Sequence, residues 1–437
     1  MQYLSTRDSA LRVSAQEAIV RGLAPQSGLF VPETFPQADL DAWKNLSYPE
    51  LAEKVLAGFL TDYSADFLHT ATASTYGAAF GGKAGETVKV RDGLYSLELW
   101  HGPTCAFKDF GAGFMGRMTG LLGAADEKLV ILTATSGDTG SAVAHGFSGV
   151  PGVRVVILYP EGKVSPLQEA QMTTLGGNIY PLRVDGTFDD CQRLVKEMFC
   201  DETLRRSVRI TSANSINLLR WLPQSFYYFY GWAAWRRITG RTHPDVVVPS
   251  GNYGNLAAGM LAQRMGLPVG RFVAASNAND VVPEFLRTGQ YRPRASVRTV
   301  ANAMDVGAPS NFERMEWLYG GDREALRRDV DGYSCDDASI LSLIAEQKLR
   351  CGYLSDPHSA VGYGAAKTLE VDGFWVSTAH AAKFGDALRR ATGAEAPLPQ
   401  ALAEAMRRER HSVPVAADAA ALPVDDEHIH RLHQKSI

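Results

Sequence analysis

The sequence has 437 residues, of which 45% are hydrophobic and 21% are charged, and its formal net charge is -4. These values are typical of a soluble globular protein with two or three domains, at roughly 100–200 residues per domain. The slightly acidic balance argues against a nucleic-acid surface, and no apolar run reaches the roughly 18 residues that a membrane span needs.

The cysteines and the N-terminal residues indicate the cellular compartment of the protein. Five cysteines, at Cys105, Cys191, Cys200, Cys335 and Cys351, form no C-x-x-C pair, which predicts free thiols in a reducing cytoplasm and no metal site. The first residues lack the basic-then-apolar pattern of a signal peptide. Closely spaced histidines in the polar end HIHRLHQKSI are interpreted as part of a solvated tail.

In chain order, about the first 95 residues are predicted as mixed helix and turn, ending in a possible strand at TVKVRDGLYSLELW. Farther on, short apolar runs alternate with Gly/Ser-rich loops and helical stretches. The runs predict strands at 129–134, 153–160, 245–250 and 272–277. Helices are predicted near Ser141 and at SPLQEAQMTTLG, LAAGMLAQRMG and LPQALAEAMRRER, and SFYYFYGWAAW indicates a buried helix.

The apolar runs show no alternation, which suits strands buried on both faces, and their order with helices predicts parallel βαβ units. The loops TSGDTG, EGKVS and GNYGN each follow one of these strands directly. Because ligands bind at the carboxyl ends of strands in open α/β sheets, the loops are candidate binding elements.

Lys108 differs from the other lysines in its neighbours within WHGPTCAFKDFGAGF. A Gly-Pro turn precedes it, and Phe107 and Phe110 lie close enough in sequence to bury part of it. Burial lowers the pKa of a lysine, and the neutral amine is the form that attacks an aldehyde to make a Schiff base. Spacing alone leaves a second interpretation open, in which Asp109 and Lys108 form an ion pair.

SGNYGN and SGDTG both lie between an apolar strand and a helix. Backbone N–H groups of such a loop hold phosphate together with the helix N-terminus, and Ser250, Asn252 and Asn255 would add donors. The hydroxyls of Ser136 and Thr139 would form a cradle for a carboxylate. An ordinary strand-to-helix turn with a capping residue is the competing interpretation at both places.

NSINLLR places three polar side chains before Arg220, and arginine can bind phosphate through two parallel hydrogen bonds. A helix N-cap followed by an exposed arginine is the alternative. STAH follows the apolar stretch FWV, and there Thr378 would donate a hydrogen bond to a ring nitrogen. His380 is interpreted as a core or capping histidine.

Together and in this order, the segments resemble the threonine synthases of the bacterial and fungal type. The resemblance is carried by GLAPQSGLFVPE, HGPTCAFKDFG, ATSGDTGSA, PEGKVSPLQEAQM, SANSIN, PSGNYGNLAAG, SNANDVVPEFLRTG, ANAMDVGAPSN and DPHSAVGYGA. These motifs span about residues 22–385. Cys105 within the lysine motif is a small departure, and no segment beyond about residue 390 is recognised.

The family belongs to the tryptophan-synthase-β-like, fold-type-II group of pyridoxal-phosphate enzymes. The resemblance implies an α/β fold with two parallel-sheet domains, the active site in the cleft between them and an N-terminal extension region. The expected domains are 1–95, the N-terminal region; 96–213, a smaller domain with the cofactor lysine and the carboxylate loop; and 214–437, a larger domain for the cofactor phosphate that includes parts of the N-terminus and is followed by the C-terminal tail.

The resemblance also implies roles for single residues. Lys108 would be the catalytic residue and would carry pyridoxal 5'-phosphate as a Schiff base. Thr378 would face the pyridine nitrogen, Asp138 would lie near the ring hydroxyl, and the cofactor phosphate would be held by Ser250, Gly251, Asn252, Tyr253, Gly254 and Asn255. The substrate carboxylate would be held by Ser136, Gly137, Asp138 and Thr139, and its phosphate by Asn214, Ser215, Asn217 and Arg220.

The implied reaction converts O-phospho-L-homoserine and water into L-threonine and phosphate, by γ-elimination and β-addition of water, as the last step of threonine biosynthesis. The enzyme would be cytoplasmic, a monomer or homodimer, with no nucleic-acid or membrane partner. A phospho-lyase or dehydratase of the same fold, giving a keto acid, is the alternative. Lys108 and the two loops argue against a non-catalytic binding protein, and the loops do not show the G-x-G-x-x-G of a nicotinamide-dependent dehydrogenase.

Overall fold

A computed structural model describes residues 1–123, 129–201, 204, 206 and 208–418. The chain divides into two compact units. Unit 1 comprises Met1–Phe110 and Ser215–Pro397, and unit 2 comprises Gly111–Asn214 and the chain from Leu398 onward. Within the described ranges, no helix combines the length and apolar character that crossing a membrane requires. The histidines of the C-terminal tail lie outside the described residues.

The strands follow the chain as β1 (Tyr3–Ser5), β2 (Asp8–Val13), β3 (Phe30–Pro32), β4 (Glu86–Arg91), β5 (Leu94–Glu98), β6 (Leu129–Ala134), β7 (Val153–Pro160), β8 (Ile179–Asp185), β9 (Arg209–Ser212), β10 (Asp245–Pro249), β11 (Phe272–Ser276), β12 (Val330–Ser334), β13 (Gly373–Ser377) and β14 (Val413–Ala416). The predicted strands at 129–134 and 153–160 are confirmed as β6 and β7. Those at 245–250 and 272–277 are confirmed as β10 and β11, each ending one residue earlier than predicted.

The helices are α1 (Ala15–Arg21), α2 (Leu40–Trp43), α3 (Tyr48–Phe59), α4 (Ala65–Tyr76), α5 (Lys108–Leu121), α6 (Asp138–Phe147), α7 (Pro166–Thr173), α8 (Phe188–Cys200), α9 (Leu218–Trp221), α10 (Phe226–Thr239), α11 (Gly254–Arg264), α12 (Val281–Thr288), α13 (Phe312–Leu318), α14 (Arg323–Asp329), α15 (Asp337–Cys351), α16 (Pro357–Thr368), α17 (Gly385–Thr392) and α18 (Gln400–Arg407). The helix predicted near Ser141 begins earlier, at Asp138. The aromatic run forms most of α10, whose rings are largely buried as predicted.

Unit 1 contains a six-stranded sheet in the order β12-β11-β10-β13-β5-β4. Its strands are parallel except for β4, which pairs antiparallel with β5, so the sheet is mixed rather than purely parallel. The reason is local. TVKVRDGLYSLELW was predicted as one strand, but Gly93 adopts a φ of 75° and turns the chain into a hairpin, which pairs its two arms antiparallel.

The N-terminal region, predicted as helix and turn, also contains a three-stranded antiparallel sheet in the order β2-β1-β3. Two of its strands have only three residues, and the middle of β2 is largely exposed. Neither feature produces the apolar run or the alternation from which a strand is recognised in sequence.

Unit 2 contains a five-stranded parallel sheet in the order β14-β8-β7-β6-β9. Its division from unit 1 differs from the predicted boundaries at three places, of which the smallest is Asn214, one residue across the predicted boundary. Lys108 falls in unit 1, because β5, which precedes it, pairs with β13. The chain from Leu398 falls in unit 2, because β14 pairs with β8 as an edge strand.

Candidate active site

Lys108 is the first residue of α5 and is half-buried, and its Nζ lies 5.5 Å from the ring centroid of Phe107. The predicted turn before it is present, since Cys105 N donates to Gly102 O over 3.0 Å. Cys105 adopts a left-handed φ of 55°, which is uncommon for a residue with a side chain. The start of α5 therefore follows a tight, strained turn.

Two buried charged side chains hold this turn. The Asp109 carboxylate accepts hydrogen bonds from Thr104 N at 2.8 Å and from Thr104 Oγ1 at 2.6 Å. Lys383, with 1% of its surface exposed, donates from Nζ to Thr104 O at 2.8 Å. Thr104 is thus fixed through its backbone and its side chain, and the turn that precedes Lys108 is fixed with it.

Thr378 directly follows β13, and its segment is hydrogen-bonded to the lysine segment. Phe107 N donates to Thr378 O at 2.8 Å, and His380 N donates to Cys105 O at 3.0 Å. The structure therefore places the backbone of Thr378 next to that of Lys108, although 270 positions separate them in the chain.

His380 caps the turn that follows Thr378, as predicted for a capping histidine. Its Nδ1 accepts from Ala382 N at 3.2 Å, and Trp100 packs edge-on against its ring at 4.8 Å. Burial lowers the pKa of His380 below its usual 6.5.

Two of the three predicted side-chain donors of the SGNYGN loop bond to the protein itself. Ser250 Oγ donates to Val248 O at 3.1 Å. The side-chain amide of Asn252 both donates and accepts: its Nδ2 donates to Ser215 Oγ at 2.9 Å, and its Oδ1 accepts from Ser310 N at 2.7 Å. These contacts shape the loop.

Asn255 differs from those two residues. Its Oδ1 accepts hydrogen bonds from the hydroxyls of Tyr227 and Tyr228, each at 2.6 Å. Its Nδ2 is buried and has no hydrogen-bond partner among the described residues. A buried amide donor in the first turn of α11, where the helix dipole favours negative charge, fits an anionic ligand.

The glycines of the loop permit close backbone packing. A Cβ added at Gly251 would lie 2.6 Å from Met304 Cα, so no larger residue fits there without movement. Tyr253 adopts a left-handed φ of 59°, and its hydroxyl lies 2.5 Å from Ser276 Oγ in a hydrogen bond. Gly254 is then the first residue of α11.

Ser215 and Asn217 make structural hydrogen bonds. Ser215 Oγ accepts from the Nδ2 atoms of Asn252 and Asn311, at 2.9 and 3.0 Å. Asn217 caps α9, since its Oδ1 accepts from Leu219 N at 3.0 Å. The helix N-cap of the alternative interpretation is therefore present at Asn217, and a role of Asn217 toward a phosphate stays a prediction.

Arg220 is not the exposed arginine of that alternative, because only 3% of its surface is accessible. Burial lowers its pKa to about 10, against the opposing influence of the Asp109 carboxylate. A guanidinium with this pKa keeps its charge at neutral pH. Unit 1 thus contains a buried cation electrostatically linked to the residue after Lys108.

Arg314 was not singled out in the sequence, yet it holds the same segment. Its Nη1 donates to Ser215 O and its Nη2 to Ile216 O, both at 2.7 Å, and its guanidinium lies 4.3 Å from the centroid of Trp221. Burial lowers its pKa to about 9. No local signal marks this role, because Arg314 lies 99 positions from Ser215.

The SGDTG loop lies in unit 2, between β6 and α6. The hydroxyl of Thr135 accepts from Gly137 N at 2.9 Å and from Gly140 N at 2.8 Å, so the N–H groups of both glycines in the loop are already bonded. The buried Asp138 carboxylate accepts from Gln168 Nε2 at 3.0 Å. Gln168, absent from the predicted site, therefore orients Asp138.

The remaining predicted residues of this region also lie in unit 2. Ser136 and Thr139 are half-buried. Asn214 Nδ2 donates to Ala134 O at 3.3 Å, which places Asn214 at the carboxyl end of β6. The four residues predicted to hold the substrate phosphate are thus divided, with Asn214 in unit 2 and the other three in unit 1.

Comparison with known families agrees with this arrangement. A family described as pyridoxal-phosphate dependent enzymes matches residues 84–378, which include Lys108, both loops and Thr378. The chain is therefore a pyridoxal-phosphate-dependent enzyme. Two further families match its ends, the threonine synthase N terminus at 2–76 and the threonine synthase C-terminal region at 359–423. The chain belongs to the threonine synthase family.

Individual relatives support the same assignment. Threonine synthase from Escherichia coli is 42% identical over 428 residues, which cover 97% of this chain and 98% of that one. Its crystal structure superposes with a TM-score of 0.90 at 40% identity and covers 99% of this chain and 100% of the other. The pyridoxal-phosphate-bound threonine synthase from Brucella melitensis also gives a TM-score of 0.90, at 32% identity and complete coverage of both chains.

The family match at 359–423 corrects the view that nothing beyond about residue 390 is recognisable. The described part of residues 359–423 contains most of α16 and all of β13, α17, α18 and β14. The cofactor also fits the residues present. The amine of Lys108 suits its aldehyde. The amide donor of Asn255 at the N-terminus of α11, which has no hydrogen-bond partner within the described part of the chain, suits its phosphate.

Proposed function

We propose that this chain converts O-phospho-L-homoserine and water into L-threonine and inorganic phosphate. Membership of the threonine synthase family supports the reaction, and the buried, charged guanidinium of Arg220 supports the substrate class. Substrates of the related dehydratases carry no phosphate and need no such cation. Arg220 is therefore the observation that favours a phosphorylated substrate.

Lys108 is the proposed catalytic residue. Its Nζ would hold the aldehyde carbon of the cofactor and, once displaced by the substrate amine, would take the proton from the substrate α-carbon. When bound, pyridoxal phosphate supplies an electron sink for the negative charge that develops on the substrate carbons. The strained turn and the bonds to Thr104 fix the start of α5, and hence the Cα from which this amine extends.

The cofactor would be held at two further points of unit 1. Asn255 Nδ2 and the backbone of Ser250–Asn255 would bind its phosphate, with Asn252, Tyr253 and the glycines shaping the loop. Thr378 would offer a neutral hydroxyl to the pyridine nitrogen. Unlike a carboxylate, a hydroxyl does not enforce protonation of that nitrogen.

The substrate would be held at both of its charged ends. Arg220, with Ser215, Asn217 and Asn214, would bind its phosphate and stabilise the charge as that group departs. The hydroxyls of Ser136 and Thr139 would bind its carboxylate, together with N–H groups of the turn other than those of Gly137 and Gly140. Asp138, oriented by Gln168, would lie near the ring hydroxyl of the cofactor.

We place the reaction in the cytoplasm and expect a monomer or homodimer, without nucleic-acid or membrane partners. The four cysteines whose side chains are described, Cys105, Cys191, Cys335 and Cys351, form no disulfide with one another, which suits a reducing compartment. Light scattering on the purified enzyme distinguishes one copy from two.

The reaction is tested by incubating the purified enzyme with O-phospho-L-homoserine and measuring phosphate, threonine and keto acid together. Equal amounts of phosphate and threonine are expected. Phosphate with a keto acid and no threonine would show the phospho-lyase alternative, whereas no phosphate release would contradict the substrate assignment.

The role of Lys108 is tested in the same assay with Lys108→Ala, which should abolish turnover because no other residue is proposed to move the α-proton. Lys89→Ala, at an exposed lysine paired with Asp92, is the matched control and should keep wild-type activity. Full activity of Lys108→Ala would rule out the proposed mechanism.

A further inference from the structure

Three neighbouring residues at the start of α16 make hydrogen bonds beyond their own helix. Asp356, His358 and Ser359 have exposed fractions of 0%, 3% and 0%. Asp356 is the N-cap of α16, and its Oδ1 accepts from His358 N at 2.9 Å. These residues, here called the 356–359 cluster, have no role in the site described above.

His358 connects Asp356 to the segment between α12 and α13. Its Nδ1 lies 2.7 Å from Asp356 Oδ1, and its Nε2 lies 3.1 Å from Ala303 N. Because a backbone N–H only donates, Nε2 must accept, and the ring proton lies on Nδ1, from which it is donated to Asp356. The aspartate therefore sets the tautomer with which His358 holds Ala303.

Ala303 and Met304 in turn form the surface against which Gly251 of the SGNYGN loop packs. A Cβ on Gly251 would lie 2.6 Å from Met304 Cα and 2.9 Å from Ala303 O. The backbone of Gly251 cannot approach further, so the position of Ala303 limits where the loop lies.

Ser359 connects the same aspartate to Thr378. Its hydroxyl donates to the Asp356 carboxylate and accepts from Thr378 N at 2.9 Å and from Ser377 Oγ at 3.1 Å. One donor and two acceptor sites are the full capacity of a hydroxyl, so Ser359 Oγ is saturated.

We propose that the 356–359 cluster positions the bound cofactor at both of its ends. Gly251 follows β10 and Thr378 follows β13, which are adjacent parallel strands. Ser359 acts through Thr378 at the ring nitrogen, His358 acts through Ala303 at the phosphate, and Asp356 joins the two. This inference rests on the proposed assignment of Gly251 and Thr378 to the cofactor.

The action of His358 through Ala303 at the cofactor phosphate is tested by replacing His358 with each of two amide side chains. The side-chain amide of Gln reaches the position of histidine Nε2, so His358→Gln keeps an acceptor for Ala303 N. The shorter amide of Asn reaches only the position of Nδ1, so His358→Asn removes that acceptor. His358→Asn should weaken cofactor binding to the apo-enzyme about tenfold and shift the phosphorus NMR signal of the bound phosphate. His358→Gln should stay close to wild type in both measurements.

The action of Ser359 through Thr378 at the ring nitrogen is tested with Ser359→Ala, which removes the acceptor for Thr378 N. It should displace the absorption band of the bound cofactor, as Thr378→Ala should, while leaving the phosphorus signal in place. Ser64→Ala is the control, because it also removes a serine capping bond, from Phe67 N at 3.2 Å, at the start of another helix of unit 1, where Ser64 is exposed. It should lower the melting temperature without changing either spectrum.

Two failures are distinguishable. If Ser359→Ala and His358→Asn lower only the melting temperature, with the spectra and cofactor affinity of wild type, the positioning role is wrong. If Thr378→Ala and Gly251→Ala also leave cofactor binding and spectra unchanged, the assignment of those residues to the cofactor is wrong as well.

Discussion

Asn252 and Asn255 are chemically identical side chains in one loop, and their different hydrogen-bond partners are the reason for the different roles proposed for them. The amide of Asn252 is bonded on both sides, by Ser215 and Ser310, whereas the oxygen of Asn255 is held by two tyrosines and its nitrogen has no partner among the described residues. The sequence predicted both as possible phosphate donors. Only the hydrogen-bond partners of the two side chains distinguish Asn255, the proposed ligand donor, from Asn252, which shapes the loop.

Arg220 is the residue on which the proposed assignment of a phosphorylated substrate depends. Replacing it with Met keeps an unbranched aliphatic stem, shorter than that of arginine, but removes a buried charge-assisted interaction worth about 3 kcal/mol, so Arg220→Met should lower kcat/KM about 100-fold. Inhibition by inorganic phosphate should weaken as well, while the absorption of the bound cofactor stays unchanged. Steady-state kinetics and phosphate inhibition measure both effects.

Arg237→Met, at an exposed arginine of α10, is the control and should behave as wild type in both assays. If Arg220→Met keeps the kcat/KM and the phosphate inhibition of wild type, Arg220 does not bind the substrate phosphate, and the case for a phosphorylated substrate loses its main structural support.

At the scale of elements, the start of α6 shows how a strand-to-helix turn becomes a rigid site. Gly137 has a φ of 135° and is the N-cap of α6, and a Cβ there would lie 2.3 Å from Gln168 Cδ. Gln168 belongs to α7, where it also completes a capping box with Ser165. One glutamine thus joins two helices and orients Asp138.

Gly137→Ala should therefore destabilise the protein by about 3 kcal/mol, combining a backbone conformation that only glycine tolerates with displacement of Gln168. Gly176→Ala is the matched control in unit 2, because Gly176 has a φ of 63° with open space around it, and about 1 kcal/mol of backbone strain is expected there. Urea unfolding measures both values. Equal losses in the two variants would show that contact with Gln168 adds nothing.

At the scale of the whole molecule, the chain enters unit 2 twice, first through residues 111–214 and again from Leu398. The returning segment is fastened by α18, by β14 and by His411 N, which donates to Thr173 O at 2.7 Å. Both units are thus built from segments remote in sequence, which is why boundaries inferred along the chain placed the C-terminal residues with the larger domain.

Leu402 tests the contribution of this returning segment. It lies on α18 with 0% of its surface exposed, whereas Leu398 just before it is 47% exposed. Leu402→Ala should destabilise unit 2 by about 2–5 kcal/mol through the lost burial and the cavity it leaves. Amide hydrogen exchange should accelerate in β7 and β8.

Leu398→Ala is the matched control and should leave exchange in those strands unchanged, because its side chain is already in water. Wild-type exchange rates in Leu402→Ala would show that the C-terminal segment does not stabilise the sheet of unit 2.

The sequence by itself determined the features that depend on near neighbours. Apolar runs located β6, β7, β10 and β11, Gly-Pro spacing located the turn before Lys108, and the order of the motifs indicated the family that the comparisons confirm. The sequence did not predict the short polar strands or the hairpin at Gly93, because these segments become strands by pairing with other segments and not through their local residue pattern.

The tertiary structure alone decided which side chains remain available to a ligand and which are committed to the protein. Ser310 lies 58 positions from Asn252, and Arg314 lies 99 from Ser215. Hydrogen bonds between groups so far apart arise only after the sheets have formed. The residue types of the site can therefore be read from the sequence, but the orientation of each group, and the burial that lowers the pKa of Arg220 to about 10, depend on the folded chain.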